Sequence, residues 1–319
     1  MLKRCMWMFA ALGLVVGCSP KKNQCFKKWM KETGNIKVLS TIAMIDDLVQ
    51  YVGGKQVDCL CLIHGEVDPH SYELVKGDAE KFTRANVVFA NGLGLEHGAS
   101  LQYQLKAHPK AVMIGDHLYR QCREELLVID GQVDPHVWMD IALWVRAIDP
   151  IVQTLSDLDP KHADVFAERG TALRKKLLDV HAELYTTMQS VPHEKRFLVT
   201  SHDAFNYFAR RYLAHVSELD HHGWKKRVAA PEGLAPDGQL SLLDIQEITA
   251  HLERYQIGVV FPESNVSKQA LNKVIDACKK RGFDVTMVEK PLYGDAMGDS
   301  YISMMRHNAQ LIVQGLGDG

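Results

Sequence analysis

The stretch KHADVFAERGTALRKKLLDVHAELYTTM, residues 161–188, predicts one long helix in the middle of the chain. Its apolar residues recur at intervals of seven, four, three and four, which is the spacing of one helical face: Phe166, Leu173, Leu177, Val180 and Leu184. A helix of about 28 residues at ~1.5 Å each is roughly 40 Å long. Such a helix could be an ordinary surface helix or a rigid connection between two lobes.

Strand-like runs alternate with helical patterns on both sides of this helix. The runs before it are residues 36–43, 57–63, 86–90 and 111–114, and those after it are residues 197–200, 258–262 and 284–288. Alternation of this kind gives a parallel sheet with helices on both faces. We therefore predict an α/β protein of two lobes, each a mainly parallel sheet with helices on both faces, joined by one long linking helix.

The chain length and composition fit this division. The 319 residues are 46% hydrophobic and 24% charged, which is ordinary for a globular protein. The net charge is −2, from 37 basic and 39 acidic residues. This balance does not indicate the basic surface that binds nucleic acid.

We predict the following division of the chain: a signal peptide at 1–17, a tether at 18–33, an amino-terminal lobe at 34–158, the linking helix at 159–190 and a carboxy-terminal lobe at 191–319.

The first residues are typical of an export signal. Lys3 and Arg4 precede an apolar run, residues 6–16, that is too short to span a bilayer as a helix. The run ends in Leu14-Val15-Val16-Gly17-Cys18, the pattern of a bacterial lipoprotein cleavage site. We predict that Cys18 is lipidated and anchors an exported protein in the periplasm or at the cell surface. The alternative is an ordinary leader with a chance cysteine.

Four segments that follow strand-like runs carry the candidate site residues. They are Asp68-Pro69-His70, Asp134-Pro135-His136, residues 200–208 around His202, and residues 291–295, which end at Asp295. The carboxyl ends of parallel strands are where α/β folds gather ligands. Three imidazoles and one carboxylate would complete a four-ligand site for a first-row divalent metal. Four protein ligands leave little room for a catalytic water, which favours carrying the metal over using it.

Familiar catalytic and nucleotide-binding patterns are missing from the sequence. It contains no G-x-x-x-x-G-K-[ST], no H-E-x-x-H and no G-x-S-x-G. We therefore predict that the protein is not an enzyme, and that the energy for any transport comes from another subunit.

The four segments resemble the metal-binding lipoproteins of ABC importers, the TroA/ZnuA/PsaA family. The similarity runs from about residue 38 to residue 316 and includes NGLGLE at 91–96 and APEGLAP at 230–236. The resemblance implies two α/β lobes, a single linking helix and a metal ion between the lobes. It also implies a monomer that delivers its cargo to an ABC permease with a separate ATPase subunit.

Carried over motif by motif, the resemblance implies a ligand set of His70, His136, His202 and Asp295. Several manganese-specific members carry Glu where this chain has His202. Zinc specialists often carry a long loop rich in histidine and acidic residues, whereas residues 115–132 contain one histidine, His117. The implied cargo is one divalent transition metal ion, with Fe2+ or Mn2+ favoured and Zn2+ possible.

Several neighbouring residues are weaker candidates. His64, His97 and Asp299 lie close in sequence to the motifs, but we do not expect them to bind the metal. Glu263 follows a strand, and a position beside a ligand is an alternative for it that we do not favour.

Two other functions remain open at this stage. A secreted metallohydrolase would use three histidines and a water, with Asp295 as general base. A surface adhesin would hold a structural metal.

Overall fold

The computed structural model describes residues 26–27, 29–31, 33–236 and 240–317. The predicted signal peptide and Cys18 therefore lie outside the described residues. Within those ranges, no helix combines the length and the apolar character that a membrane crossing needs.

The amino-terminal half is built on a four-stranded parallel sheet with the order β2-β1-β3-β4. Its strands are β1 (Ile36–Ile42), β2 (Val57–Ile63), β3 (Val87–Ala90) and β4 (Ala111–Met113). All seven residues of β1 are buried, as expected for an inner strand that is covered on both faces. β2 lies on one side of β1, and β3 and β4 lie on the other. The strand order therefore reverses at β1, and such a reversal leaves a crevice at the carboxyl ends of the strands.

Helices cover this sheet, as the sequence predicts. They are α1 (Ala43–Gly53), α2 (Asp78–Arg84), α3 (Ala99–Ala107), α4 (Ile114–Cys122), α5 (Ile141–Trp144) and α6 (Ile148–Leu158). The sequence analysis missed an antiparallel hairpin of β5 (Val128–Ile129) and β6 (Gln132–Val133). Its turn is Asp130-Gly131, with φ of 49° and 81°, and Asp-Gly is a preferred pair for such a turn.

The long helix is confirmed as α7 (Ala163–Gln189), 27 residues that follow a short 3-10 turn at Pro160–His162. The five apolar residues of its predicted face are all buried. It packs against α1 and α6 of the first half and against α11 (Tyr301–Gly317) of the second. The helix is therefore a connection between two lobes rather than an ordinary surface helix.

The carboxy-terminal half repeats the α/β pattern with shorter strands. The strands are β7 (Leu198–Val199), β8 (Val228–Ala229), β9 (Val259–Val260) and β10 (Thr286–Met287); the helices before α11 are α8 (Asn206–Phe208), α9 (Leu242–Tyr255) and α10 (Gln269–Lys280). β7 pairs with β8 and β9 pairs with β10, both in parallel. The Phe261 N–H donates to the Val199 carbonyl at 2.8 Å and joins the two pairs. The carboxyl ends of these strands point towards the same crevice as those of the first sheet.

Gly170 provides a test of how tightly the long helix is held. A Cβ atom at this position would lie 2.7 Å from Cγ2 of Val152 and 3.2 Å from Cγ2 of Ile148, both in α6. We expect Gly170→Val to lower the free energy of unfolding by about 2–3 kcal/mol, because overpacking forces neighbours to shift. Urea denaturation measures this loss. Ala172→Val, at an exposed position of the same helix, should cost much less, and equal losses would contradict the packing argument.

Candidate metal centre

The structure brings all four predicted ligand residues together at one point. They form a group in which one donor atom from each residue lies within 4.8 Å of all the others: His70, His136, His202 and Asp295. The Nε2 atoms of His70 and His136 are 3.3 Å apart. The Asp295 carboxylate lies 3.5 Å from His70 Nε2, 3.3 Å from His136 Nε2 and 3.1 Å from His202 Nε2.

These separations match the dimensions of a tetrahedral metal site. Zinc and similar ions bind imidazole nitrogen and carboxylate oxygen at about 2.0–2.2 Å. A regular tetrahedron with such bonds has edges of about 3.3–3.6 Å. The four distances given above, 3.1–3.5 Å, are of this size. The four side chains therefore surround a space that fits one first-row transition metal ion.

The donor atoms are buried and only partly satisfied by the protein. His136 and His202 are fully buried, His70 is 1% exposed and Asp295 is 5% exposed. Within the described part of the chain, four buried atoms at the site have no partner with hydrogen-bond geometry: Nδ1 and Nε2 of His202, Oε2 of Glu263 and Oδ1 of Asp295. Buried polar atoms normally have partners. A cation at the centre would satisfy Nε2 of His202 and Oδ1 of Asp295.

The two Asp-Pro-His motifs position their histidines differently. In both motifs the aspartate accepts a hydrogen bond from the backbone N–H of the histidine, at 2.8 Å for Asp68 and His70 and at 2.9 Å for Asp134 and His136. Asp134 also lies 2.7 Å from Nδ1 of the His136 ring. Asp68 instead accepts from the Ser71 hydroxyl. Only the second aspartate therefore orients an imidazole directly.

His202 has a comparable carboxylate partner in Glu263. One oxygen of Glu263 lies 2.8 Å from His202 Nδ1, and the other accepts from the His202 backbone N–H at 2.9 Å. Gly294 makes room for this pair, since a Cβ there would lie 2.1 Å from Glu263 Oε2. The Nδ1 contact has the distance of an ion pair but not hydrogen-bond geometry, and Nε2 of His202 faces Asp295 in the metal space. Neutral imidazole ligands are commonly oriented by such partners.

The surrounding carboxylates change the pKa values of two ligands. Burial alone would lower the pKa of His136, but the charges of Asp134 and Asp295 outweigh it and raise the pKa to about 9. Burial likewise opposes protonation of His202, yet Glu263 and Asp295 raise its pKa well above the ordinary value. Burial would raise the pKa of Asp295, but His202 and His70 hold it well below its usual range. Without a metal, protons on His136 and His202 therefore balance the negative charge of the surrounding carboxylates.

Side chains from both halves meet beside His136. The Trp138 indole N–H donates to the Gly294 carbonyl at 3.0 Å, and the Tyr301 hydroxyl donates to the Trp138 carbonyl at 2.6 Å. On the other side of His136, the Tyr207 hydroxyl donates to the Asp134 carbonyl at 3.0 Å. The segment that carries His136 is thus held by the carboxy-terminal half at both ends.

The weaker candidates from the sequence lie outside the four-residue group. His64 and Asp299 are exposed. The His97 ring is next to His70, with ring centroids 5.6 Å apart, but it does not join the donor group. Glu263 lies beside the ligand His202, which is the position that the sequence analysis did not favour for it.

The sequence analysis missed the roles of Asp134, Asn206, Trp138 and Tyr301. Asp134 had a visible signal, because an acidic residue two positions before a histidine can reach its backbone and ring. The other three residues act across the two halves, and nothing in their local sequence indicates this.

Comparisons with known proteins agree with this geometry. A family model described as "Zinc-uptake complex component A periplasmic" matches residues 38–315. The metal-binding protein YtgA of Chlamydia pneumoniae is 36% identical over 314 residues, covering 98% of this chain and 94% of that protein. The manganese-binding lipoprotein MntA of Bacillus subtilis is 32% identical, covering 88% and 90%. The crystal structure of Fe(III)-bound YtgA from Chlamydia trachomatis superposes with a TM-score of 0.85 at 35% identity, covering 89% and 98%.

The raised pKa of His136 predicts how the stability of the metal-free protein depends on pH. The folded state holds this proton more tightly than the unfolded chain, whose histidines have a pKa of about 6.5. The stabilisation is therefore complete below pH ~6.5 and is lost as the pH rises through the folded pKa of about 9. We expect the free energy of unfolding to fall by a few kcal/mol over this window, at about 1.4 kcal/mol for each pKa unit.

Urea denaturation with a chelator present, at several pH values from 6.5 to 9.5, measures this loss. The His136→Asn variant is the control, and its curve should be flatter because it lacks the titrating group. Unchanged stability of the unaltered protein across the window would contradict the charge arrangement described above.

Proposed function

The chain belongs to the zinc-uptake component A family, the substrate-binding proteins of metal ABC transporters, and from this membership we propose that it captures one transition metal ion between its two lobes. The proposed ligands are His70, His136, His202 and Asp295. The protein then delivers the ion to a membrane permease whose ATPase is a separate subunit.

One observation carries the ligand assignment. The donor atoms of three imidazoles and one carboxylate, contributed by both halves of the chain, are 3.1–3.5 Å from their neighbours in a buried space. That arrangement has the size and the donor chemistry of a four-coordinate site. Since the ligands come from both lobes, binding depends on how the lobes are arranged, and separating the lobes releases the ion.

The proposed cargo is iron or manganese, with zinc also able to bind. Imidazole and carboxylate donors suit all three metals. The named relatives include a manganese-binding and an Fe(III)-bound protein, and the family description names zinc. The single histidine of residues 115–132 supports iron or manganese over a dedicated zinc function.

The two alternative functions have less support. A metallohydrolase needs an open coordination position for water, whereas the Asp295 carboxylate lies within 3.5 Å of the Nε2 atoms of all three histidines. The family consists of substrate-binding proteins rather than enzymes. No contact or surface in the described residues favours an adhesin.

The proposal places the mature protein outside the cytoplasm as a monomeric lipoprotein. The apolar leader that ends at Cys18 supports export and lipid anchoring. The similarity to the manganese-binding lipoprotein MntA supports the same location. The anchor keeps the captured ion close to the permease.

The ligand assignment predicts a clear division among alanine variants. Replacing any one of the four ligands with alanine should weaken metal binding by at least about tenfold, because each change removes one coordinate bond. Calorimetric titration of the purified variants with Zn(II) and Mn(II) measures this effect. His64→Ala and Asp299→Ala are matched controls at exposed positions and should bind like the unaltered protein. Full-strength binding by Asp295→Ala would exclude the four-ligand site and favour a general base.

The anchoring proposal predicts the location of a Cys18→Ala variant. Without the cysteine no lipid can be attached, so the exported protein should leave the membrane fraction and appear in the soluble one. Fractionation together with labelling by a fatty-acid analogue measures this. The Cys25→Ala variant is the control and should stay with the membrane. A labelled, membrane-bound Cys18→Ala protein would refute lipidation at this position.

A further inference from the structure

Asn206 connects the carboxy-terminal half to the partner of a metal ligand in the other half. Its side-chain amide donates to Oδ2 of Asp134 at 3.1 Å and to the backbone carbonyl of Asp203 at 3.1 Å. Asn206 is 3% exposed and Asp134 is fully buried, so water does not compete for this bond. Both N–H groups of the amide therefore have acceptors within the protein, and the Asp134 acceptor is buried.

The other oxygen of Asp134 faces the ligand. Oδ1 of Asp134 lies 2.7 Å from Nδ1 of His136 and accepts from the backbone N–H of His136 at 2.9 Å. When Nδ1 carries the proton and donates to Asp134, the lone pair of Nε2 is free for a metal. The carboxylate thus selects the tautomer that His136 needs as a ligand, and Asn206 fixes the carboxylate.

The amide of Asn206 bonds to Asp134 and to the Asp203 backbone. An apolar residue at this position would leave Oδ2 of Asp134 buried without its donor, and such a loss is costly for a charged group.

We propose that Asn206 is a positioning residue for metal capture, which acts across the lobes through Asp134 to hold His136 in its metal-binding orientation. This inference rests on the proposed function. Asp134 belongs to the amino-terminal half and Asn206 begins α8 in the other half, so the bond exists only while the lobes are in contact. His136 is consequently a full-strength ligand only in that arrangement, and lobe separation weakens the site in two ways, by moving the ligands apart and by removing Asn206 from Asp134.

A four-protein cycle tests this connection. The proteins are the unaltered chain, Asn206→Ala, Asp134→Ala and the double variant, each titrated with Zn(II) and with Co(II). Asn206→Ala should weaken affinity about three- to tenfold and Asp134→Ala about 10–100-fold, which is the usual effect of losing a partner of a ligand. Because Asn206 acts through Asp134, the double variant should bind as weakly as Asp134→Ala alone. If the double variant instead loses affinity by the product of the two single losses, the inference is overturned.

A second pair of variants exchanges the two side chains. In Asp134→Asn, the new amide group meets the amide of Asn206, so two donors face each other. Adding Asn206→Asp supplies an acceptor for this amide while the carbonyl oxygen at position 134 still accepts from His136, although the bond to the Asp203 carbonyl is lost. The combined variant should therefore recover part of the affinity that Asp134→Asn loses. Asn206→Asp alone should not raise affinity, and failure of the recovery would contradict the proposed contact.

The measurements separate this inference from simple loss of stability and from the proposed function. Asn272→Ala, an exposed asparagine in the same half, is the matched control and should bind like the unaltered protein. The melting temperature of each metal-free variant shows whether it is folded, and the Co(II) absorption spectrum reports the coordination geometry. An unaltered protein that binds neither metal contradicts the proposed function. If the unaltered protein binds metal and Asn206→Ala binds it with equal affinity, only the role of Asn206 is contradicted.

Discussion

Two imidazole nitrogens that face each other across 3.3 Å in a buried space repel one another unless a proton or a metal ion lies between them. The His202 imidazole and the carboxylate of Asp295 line the same space. The surrounding structure holds these groups together although they need a proton or a metal ion between them. His70 follows β2, His136 follows the hairpin strand β6, His202 follows β7 and Asp295 follows β10. The long helix α7 packs against helices of both halves. Protons satisfy the site when no metal is present, and a cation satisfies it when one is captured.

The carboxylates outside the ligands decide which atoms face the centre. The carboxylates of Asp134 and Glu263 lie next to Nδ1 of His136 and His202, respectively, and the Nε2 atoms face the metal space. Burial makes these contacts strong, because no water competes for them and an unpaired charge would be costly. The result is a site whose orientation is fixed before the metal arrives, and an oriented site loses less entropy on binding than a flexible one.

Much of the fold follows from local sequence patterns, whereas the contacts between the lobes do not. The apolar spacing in residues 161–188 predicts α7, because one helical face must be buried, and the apolar runs predict the inner strands. The repeated Asp-Pro-His motif leads to two histidines, and family resemblance leads to the other ligands. Asn206, Trp138 and Tyr301 could not be predicted, because their partners are more than 70 residues away. Asp130-Gly131 had a turn signal that was overlooked.

The depth of the four ligands has a consequence for how fast metal leaves. His136 and His202 have no exposed surface, so an external chelator cannot attack the bound ion directly and form a mixed complex. Exchange then proceeds through a rare open state, and its rate reaches the frequency of opening once the chelator captures the ion faster than the site closes again. A protein of this kind retains its cargo by a kinetic barrier as well as by affinity. A receptor that stabilises the open state can accelerate unloading without binding the metal more tightly.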